Sequence, residues 1–336
     1  SEPNPRTRIR ARDTHFLEGR RRVDPVGRPE LHCGGVGSLA TTSPLRHAPP
    51  ATFPLEAVAR PRHRAHSPAS MKPPASTPST VARVANPAYD EFRSRFLRPA
   101  LPCLITGHAN QWPAFRRWDH ESIGAAIGDR TVAPVKMNRG NFHIDLTEGV
   151  AVEPMGYDAY LRAVADTDEP GYYLRLALDG EFSDLLADDY QVPEYCRRRI
   201  MLKKNLWVGA RGASSDLHYD MTHNVVAQIR GRRRVILFAP SDTPYLYPFP
   251  MRTLSWHHSQ VRVESPDYDR FPRLRRAQPI ETFIEAGEML FIPQGWWHRF
   301  ETLETAIALN FFWLTPSLLP RAVASRAIWV AQGLRT

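Results

Sequence analysis

The spacing of hydrophobic and polar positions changes at about residue 203. Before that point apolar residues recur at helical spacing in NPAYDEFRSRFL, DHESIGAAIG and GYDAYLRAVAD, which alternate with the strand-like runs PCLITG, TVAPVKM and YYLRLAL. We expect order to begin near Asn86. Asp119 is the predicted cap of the second helix and Gly128 its stop. Two short helical pieces are expected over 181–189 and 193–199.

From Lys203 onward the pattern becomes one of short β runs with turn signals between them. LWVG, DLHYD, VVAQI and RRVILF come first, and ETFIEA, EMLFIP, WHRFE and TAIALNFFW follow after a long insert over 241–279. Eight short strands after a partly helical lead-in predict a mainly β protein with flanking helices. Its core is expected to be a double-stranded β-helix, or jelly-roll. The Pro-, Tyr- and His-rich insert is expected to form an ordered wall or lid.

These patterns predict one catalytic-sized domain. Its lead-in covers 86–202, its jelly-roll core 203–314, and a final helix 315–336 could pack on the body or against a second copy of the chain in a homodimer. No run of 18 or more apolar residues occurs, so neither a transmembrane helix nor a membrane partner is expected. The first residues lack the apolar segment of a secretory signal.

Residues 1–80 form a Pro-, Arg- and Ser-rich segment without helical or strand period, which predicts a disordered tail. They hold 13 Lys and Arg against 6 Asp and Glu, leaving 31 against 29 for the rest. Nucleic acid is therefore not expected as a partner, except through this tail. Three interpretations of the tail stand beside one another: a basic arm, a transit peptide, and sequence upstream of a natural start at Met71. We favour a solvated tail or a non-natural segment.

The three cysteines, Cys33, Cys103 and Cys196, are far apart and form no metal-binding or disulfide pattern. Such sparse usage is typical of a reducing compartment. We therefore expect a cytoplasmic protein.

Candidate metal ligands occur in the segment between Asn205 and Pro240. If the His-Tyr-Asp sequence lies on a strand, His218 and Asp220 point to one face. A jelly-roll brings a returning strand beside them, and His298 in GEMLFIPQGWWHRFE is the best third ligand. Two histidines and one carboxylate form the facial triad of non-heme iron(II) oxygenases, although the same ligands also hold catalytic zinc.

A basic residue on the RGRRR segment favours iron over zinc. An oxygenase of this kind needs a 2-oxo acid, whose far carboxylate requires a cation inside the barrel. Strand alternation points Arg233 inward with Val235 and Leu237, whereas Arg232 and Arg234 point to solvent. The planar guanidinium of Arg233 suits bidentate binding of a carboxylate.

Other aromatic and histidine residues near the triad have weaker functional interpretations. Trp296 and Trp297 could form a wall of the substrate groove, but for one of them a core position is at least as well favoured, since adjacent strand residues face opposite ways. His223 differs from His218 by an odd number of positions, so we expect it to be a core or surface residue.

Several segments together resemble a known family. LHYDMTHNVVAQIRGRRRVILFAP, LYPFP, SPDYDRFP and GEMLFIPQGWWHRFE are similar to the JmjC, or cupin-like, family of iron(II)/2-oxoglutarate oxygenases. Within it they are most similar to the asparaginyl hydroxylase that inhibits hypoxia-inducible factor and to related bacterial hydroxylases. The resemblance covers roughly residues 98–314.

The resemblance implies a role for eight residues. It makes His218, Asp220 and His298 the iron ligands. It implies that the hydroxyl groups of Tyr173 and Ser215 contact the 2-oxoglutarate carboxylate. Amides that line the cosubstrate and metal side of the pocket are implied for Asn224 and Asn310. Arg233 would supply the cation, at a position where this group usually has Lys.

The implied activity is that of a dioxygenase that uses Fe(II), 2-oxoglutarate and dioxygen and converts the cosubstrate to succinate. Hydroxylation of a side chain in a protein or peptide is the first expectation. The enzyme alternatives are N-methyl-lysine demethylation and hydroxylation of a small molecule, a peptide natural product or a tRNA base. A cupin-type protein that binds metal without turnover is the non-enzyme alternative.

Overall fold

The computed structural model describes a single unit within residues 66–336. The described residues are 79–138, 141–142, 144–145, 149–165, 170–197 and 199–315. The predicted disordered tail and C-terminal helix therefore lie outside the described residues, apart from residues 79, 80 and 315. No helix in the described ranges is long and apolar enough to cross a membrane.

The lead-in contains the predicted helices. In chain order the helices are α1 (Tyr89–Phe92), which continues as a π-helical turn over Arg93–Leu97, α2 (Pro113–Arg117), α3 (His120–Ile127) and α4 (Tyr157–Val164). Of these, α2 was not predicted from the sequence. Three 3₁₀ turns follow at Gly180–Phe182, Ala187–Asp189 and Glu194–Cys196. The Asp119 carboxylate accepts a hydrogen bond from the Ser122 backbone N–H at 2.8 Å, and the helix ends at Gly128, which confirms both predicted boundaries.

Among the described residues, nine strands precede the jelly-roll repeat. They are β1 (Ala82–Ala85), β2 (Cys103–Thr106), β3 (Thr131–Val132), β4 (Val135–Asn138), β5 (Asn141–Phe142), β6 (Ile144–Asp145), β7 (Gly149–Val150), β8 (Met155–Gly156) and β9 (Tyr172–Ala177). β1 lies just before Asn86, the residue near which order was expected to begin, and pairs in parallel with β2. TVAPVKM forms two strands rather than one, since Pro134 has no N–H to donate to a ladder.

All eight predicted jelly-roll strands are present. They are β10 (Met201–Gly209), β11 (His218–Tyr219), β12 (His223–Arg230), β13 (Arg233–Phe238), β14 (Ile280–Ile284), β15 (Met289–Ile292), β16 (Trp297–Thr302) and β17 (Ala306–Leu314). One sheet has the order β1-β2-β15-β12-β17-β10-β9-β4-β5, and a smaller one has the order β11-β16-β13-β14. The mainly β fold with a jelly-roll core is confirmed.

Strand alternation divides the apolar residues between two sides of the large sheet. Val226 and Ala308 point towards the small sheet and pack with Val235 and Leu237, which lie on β13. Their sequence neighbours point the other way and pack under the helices. That second cluster includes Phe92, Trp118, Tyr160, Val225, Leu309 and Phe311. The space between the sheets is thus apolar over part of its length, and polar side chains at the other inward positions leave a cavity there.

The insert between β13 and β14 is an ordered wall on the outer face of the small sheet. Its 3₁₀ turns span Pro240–Tyr245 and Pro272–Arg276. Phe271 and Leu274 from the insert pack against Ile236 of β13 and Trp297 of β16. This packing supports the outer face of the small sheet, whose strands carry the predicted metal ligands His218 and His298.

Candidate active site

Pairing of β11 with β16 brings two distant histidines together. His218 lies directly opposite His298 in the antiparallel register, with 4.3 Å between the ring centroids. Asp220 follows β11, and its carbonyl accepts a hydrogen bond from the Gly295 N–H at 3.0 Å. One ligand atom from each of the three side chains lies within 4.8 Å of the other two. Within the described ranges this is the only cluster of His, Cys, Asp and Glu with such geometry.

Backbone carbonyls set the tautomer of both histidines. Nδ1 of His218 lies 2.8 Å from the Asp216 carbonyl, and Nδ1 of His298 lies 3.0 Å from the Trp296 carbonyl. Because a carbonyl only accepts, each Nδ1 carries the hydrogen and each Nε2 presents a lone pair. Burial, together with the neighbouring His218, lowers the pKa of His298 to about 4. Its imidazole is therefore neutral at physiological pH, as a metal ligand must be.

A directed chain of amides orients the carboxylate. The Asn310 NH₂ group donates to Asn224 Oδ1 at 3.2 Å, and the Asn224 NH₂ group donates to Asp220 Oδ2 at 3.2 Å. This oxygen lies 3.6 Å from His298 Nε2, at the point where the ligand atoms converge. Hydrogen-bonded partners of this kind fix the direction of a metal ligand.

A buried cation occupies the other end of the cavity. Arg233 is 3% exposed, and the pKa of its guanidinium is lowered by burial. Its Nε donates to Gln228 Oε1 at 2.7 Å, Nη1 lies 3.5 Å from the Tyr173 hydroxyl, and Cζ is 4.6 Å from the centre of the Phe300 ring. Nη2 has no hydrogen-bond partner among the described residues, and none of their carboxylates forms an ion pair with this guanidinium.

The neighbouring arginines behave differently. Arg232 pairs with Glu285, and Arg234 pairs with Glu281 and Glu301, all on the outer face of the small sheet. The predicted alternation of RGRRR between solvent and interior is confirmed.

One cavity joins both ends. Its lining includes all eight residues that the sequence singled out: Tyr173, Ser215, His218, Asp220, Asn224, Arg233, His298 and Asn310. The Ser215 hydroxyl accepts a hydrogen bond from the Phe300 N–H at 3.0 Å, which leaves its own hydrogen free to donate. The structure thus brings the predicted residues together, and their individual roles stay predictions.

Three aromatic residues of the lining were missed from the sequence. They are Trp207, Phe300 and Phe312. Phe300 lies two positions after His298, and Phe312 two positions after Asn310, so strand alternation places each on the face of a predicted site residue. That period was the signal that could have identified them.

The two tryptophans before His298 are core residues. Trp296 is 1% exposed and packs between the sheets, where its Nε1 donates to the Ala100 carbonyl at 2.8 Å. Trp297 points outward under the insert, and its Nε1 donates to the Thr243 hydroxyl at 2.9 Å. Neither lines the cavity, so the interpretation as a groove wall is wrong. His223 is a buried core residue whose Nδ1 accepts from the Gln294 N–H at 3.2 Å.

Two histidines of the insert lie beside the triad and were also missed. The His258 ring stacks on His218 with 5.2 Å between centroids and an interplanar angle of 17°, and His257 lies against His258 at 4.5 Å. Backbone hydrogen bonds from Tyr219 N–H to the His257 carbonyl and from Ser259 N–H to the Leu217 carbonyl hold this segment along β11. No periodic signal marks the two residues, because the path of an irregular insert decides their position.

Comparison with known proteins gives the family. A family model described as a cupin-like domain matches residues 89–317, which is more than half of the chain. The chain belongs to the cupin-like family.

Its relatives place it in the JmjC group of iron(II)/2-oxoglutarate oxygenases. Lysine-specific demethylase 8 of Xenopus tropicalis is 29% identical over 250 residues, covering 73% of this chain and 55% of the relative. JmjC domain-containing protein D of Dictyostelium discoideum is 28% identical over 248 residues, covering 68% and 55%. tRNA wybutosine-synthesizing protein 5 of Gallus gallus is 28% identical over 249 residues, covering 66% and 74%.

The chain spans just over half the length of the first two of these relatives. Similarity to the asparaginyl hydroxylase that inhibits hypoxia-inducible factor stays a prediction.

JmjC proteins use Fe(II) and 2-oxoglutarate, and the cavity fits both. The Nε2 atoms of two histidines and one carboxylate are the donor set of a non-heme iron site with open coordination positions. At the far end, the unpartnered Nη2 of Arg233 is an orphaned buried donor that a carboxylate would satisfy. The cavity therefore has a metal end and an arginine end.

Proposed function

We propose that this protein is an Fe(II)- and 2-oxoglutarate-dependent dioxygenase that hydroxylates a side chain of a protein or peptide. The observation that carries the proposal is the arginine end of the cavity. A cation that is 3% exposed and has no carboxylate partner in the described chain is unfavourable, because burial removes its hydration. An anionic ligand that enters the cavity would supply the missing counter-charge.

The proposed roles follow from the positions of the residues. His218, Asp220 and His298 would hold the metal through atoms that already converge. The distal carboxylate of 2-oxoglutarate would be bound by Arg233, by the Tyr173 hydroxyl beside it, and by Ser215. Asn224 and Asn310 would keep Asp220 oriented.

The bound iron, 2-oxoglutarate and dioxygen together supply the chemistry, in which one oxygen atom enters a C–H bond of the substrate and the other converts the cosubstrate to succinate and carbon dioxide. The chain contributes positioning and exclusion of water. Trp207, Phe300 and Phe312 line the cavity with apolar surface, which limits the access of water to the reacting groups.

Hydroxylation of a protein or peptide side chain is preferred because the segments that carry the family resemblance are most similar to those of protein hydroxylases. The second candidate is N-methyl-lysine demethylation, which begins with hydroxylation of the same kind of C–H bond. It is favoured by relatives that are named lysine-specific demethylases. The relative named for tRNA wybutosine synthesis supports a nucleic-acid substrate as the third.

A peptide pool presented to the iron-loaded protein tests the proposal and separates the candidates. We expect added peptides to increase succinate formation from 2-oxoglutarate in air, and mass spectrometry to find a peptide that has gained one oxygen atom. Loss of a methyl group from methylated lysine peptides would support the demethylase instead. Stimulation by tRNA alone would favour the third candidate, and no turnover by protein with bound iron would support a binding protein.

Two further expectations, the cellular location and the oligomeric state, stay proposals. We propose a cytoplasmic location, on the basis of cysteine usage, and a homodimer through residues 315–336. Sedimentation of the full chain and of a variant truncated after residue 314 would test the dimer, because only the full chain should dimerise.

A further inference from the structure

Gln228 is a buried residue of the cavity region that the sequence did not single out. Its side chain is 0% exposed, and every hydrogen-bonding atom of its amide has a partner. Oε1 accepts from Arg233 Nε at 2.7 Å, while Nε2 donates to the Arg230 carbonyl at 2.6 Å and the Gly231 carbonyl at 3.3 Å. Since the two carbonyls only accept, they fix which end of the amide faces Arg233.

The local backbone that holds Gln228 is specialised. The register of β12 against β17 shifts between Gln228 and Arg230, so the strand bulges before it turns. Gly231 follows at φ 69°, and a Cβ at this position would lie 2.2 Å from the Thr305 carbonyl oxygen. Only glycine therefore permits the turn that presents the two carbonyls to the amide.

This arrangement decides which edge of Arg233 remains available. Nε is occupied by Gln228, and one face of the guanidinium covers the Phe300 ring. Nη2 is free, and Nη1 has only a long contact of 3.5 Å with Tyr173. The Nη edge is thus presented to the cavity in a fixed plane, and two parallel N–H groups in one plane match a carboxylate.

The neutrality of Gln228 matters as much as its shape. A glutamate at this position would place a carboxylate against the guanidinium and satisfy the charge from within the protein. Glutamine accepts the same hydrogen bond without a full negative charge, so Arg233 keeps its attraction for an anionic ligand.

We infer that Gln228 is a positioning residue that sets the plane of the Arg233 guanidinium and thereby makes the cavity select 2-oxo acids with a second carboxylate. This inference rests on the proposed function, in which Arg233 binds the cosubstrate. Gln228 is not among the residues that line the cavity, and it acts through its hydrogen bond with Arg233.

Two ligands that differ only at the far end test this role. 2-Oxoglutarate and 2-oxopentanoate share the chelating 2-oxo acid group and the five-carbon chain, but 2-oxopentanoate lacks the distal carboxylate. Their affinities for the Fe(II)-loaded protein are measured by calorimetry without oxygen. We expect the wild-type protein to prefer 2-oxoglutarate by about 100-fold, as expected for two hydrogen bonds to a charged group.

The variants should change this preference and leave 2-oxopentanoate binding unaltered. In Gln228→Met the preference should fall by about tenfold, because the guanidinium is no longer fixed. In Gln228→Glu it should fall close to equality, because residue 228 now neutralises Arg233. Gln260→Met is the matched control. The Gln260 amide donates to the Pro248 carbonyl in the insert, and its loss should leave the preference at the wild-type value.

Each alternative outcome has a separate meaning. If the wild-type protein binds metal but not 2-oxoglutarate, the proposed function itself is wrong. If the wild-type protein prefers 2-oxoglutarate and both Gln228 variants keep that preference, or if they weaken both ligands equally, the positioning role is wrong. Gln228→Glu keeps the side-chain length but sets a second acceptor against the Arg230 and Gly231 carbonyls. If it or Gln228→Met does not fold, Gln228→Leu, which removes the amide without adding a charge, decides the test and should show the same fall of about tenfold.

Discussion

At the metal end of the cavity each of the three ligand side chains has a hydrogen-bond partner within the protein, whereas at the arginine end the charge has no carboxylate partner among the described residues. Both histidines donate Nδ1–H to backbone carbonyls, and Asp220 accepts from Asn224. By contrast, the buried Arg233 keeps an unpartnered Nη2. The metal end is oriented in advance by hydrogen bonds, and the arginine end is unfavourable until a ligand arrives.

A second contrast, along β13, shows that this difference is local. Arg232 and Arg234 lie on either side of Arg233 in the sequence, and each has a glutamate partner on the outer face. In the described part of the chain, carboxylates thus lie on the outer face and none lies within reach of the inner guanidinium. Unfavourable burial of this kind is typical of binding sites, where stability is given up for function.

The largest expected effect comes from loss of a ligand at the metal end. His298→Ala should lower the affinity for Fe(II) by more than about 100-fold, because removal of even an outer partner of a ligand costs about 10–100-fold. Competition with a coloured chelator measures it. His223→Ala is the control, since His223 is also buried but faces the other core; equal losses in both variants would contradict the assignment of the triad.

Removal of the charge at the arginine end should lower the affinity for 2-oxoglutarate without lowering the stability of the ligand-free protein. Arg233→Met should weaken 2-oxoglutarate binding by about 100-fold or more, because two charge-assisted hydrogen bonds are lost. The unfolding temperature should not fall. Loss of a buried unpaired charge relieves several kcal/mol, against about 1–3 kcal/mol for the stranded Gln228 acceptor.

Calorimetry and thermal unfolding check the two parts of that prediction in the ligand-free protein. Arg234→Met is the matched control from the outer face, and it should change neither quantity by much because exposed ion pairs contribute about 0–1 kcal/mol. A large drop in the unfolding temperature of Arg233→Met would show that the buried cation is structural.

The amide chain should have an intermediate effect that is confined to the metal end. Asn224→Ala removes the donor to Asp220, and we expect about 10–100-fold weaker metal binding with little change in the preference between 2-oxo acids. Asn110→Ala, at an exposed position, serves as the control. Unchanged metal binding in Asn224→Ala would mean that Asp220 is held by its backbone alone.

The smallest effect is expected from the aromatic ring under the cation. Phe300→Leu should weaken 2-oxoglutarate binding by about 5- to 30-fold, since a desolvated cation–π contact contributes about 1–2 kcal/mol. Phe283→Leu is its outer-face counterpart, where the ring lies 4.5 Å from the Arg232 guanidinium, and it should leave binding unchanged. Equal losses of 2-oxoglutarate affinity in the two variants would contradict a specific role for the inner ring of Phe300.

The sequence predicted what depends on period and local chemistry. Strand alternation placed His218 with Asp220 and separated Arg233 from its neighbours, and the Asp119 cap set the start of α3. The same period could have identified Phe300 and Phe312.

Features that depend on the path of irregular chain were not predictable. Gln228 gains its role only through a bulge and a glycine turn, and His258 reaches His218 only because the insert runs along β11. The pattern was ambiguous for Trp296 and Trp297. Strand alternation puts the two side chains on opposite faces of the sheet, but it does not show which other segments pack on each face.

The central claim is that the two ends of the cavity act together on 2-oxoglutarate. The direct measurement is succinate formation by the iron-loaded protein in air without any added substrate, for the wild type, His298→Ala and Arg233→Met. We predict slow uncoupled turnover by the wild type that both variants abolish at a subsaturating cosubstrate concentration. Turnover that persists in either variant, or its absence in wild-type protein with iron bound, would contradict the claim.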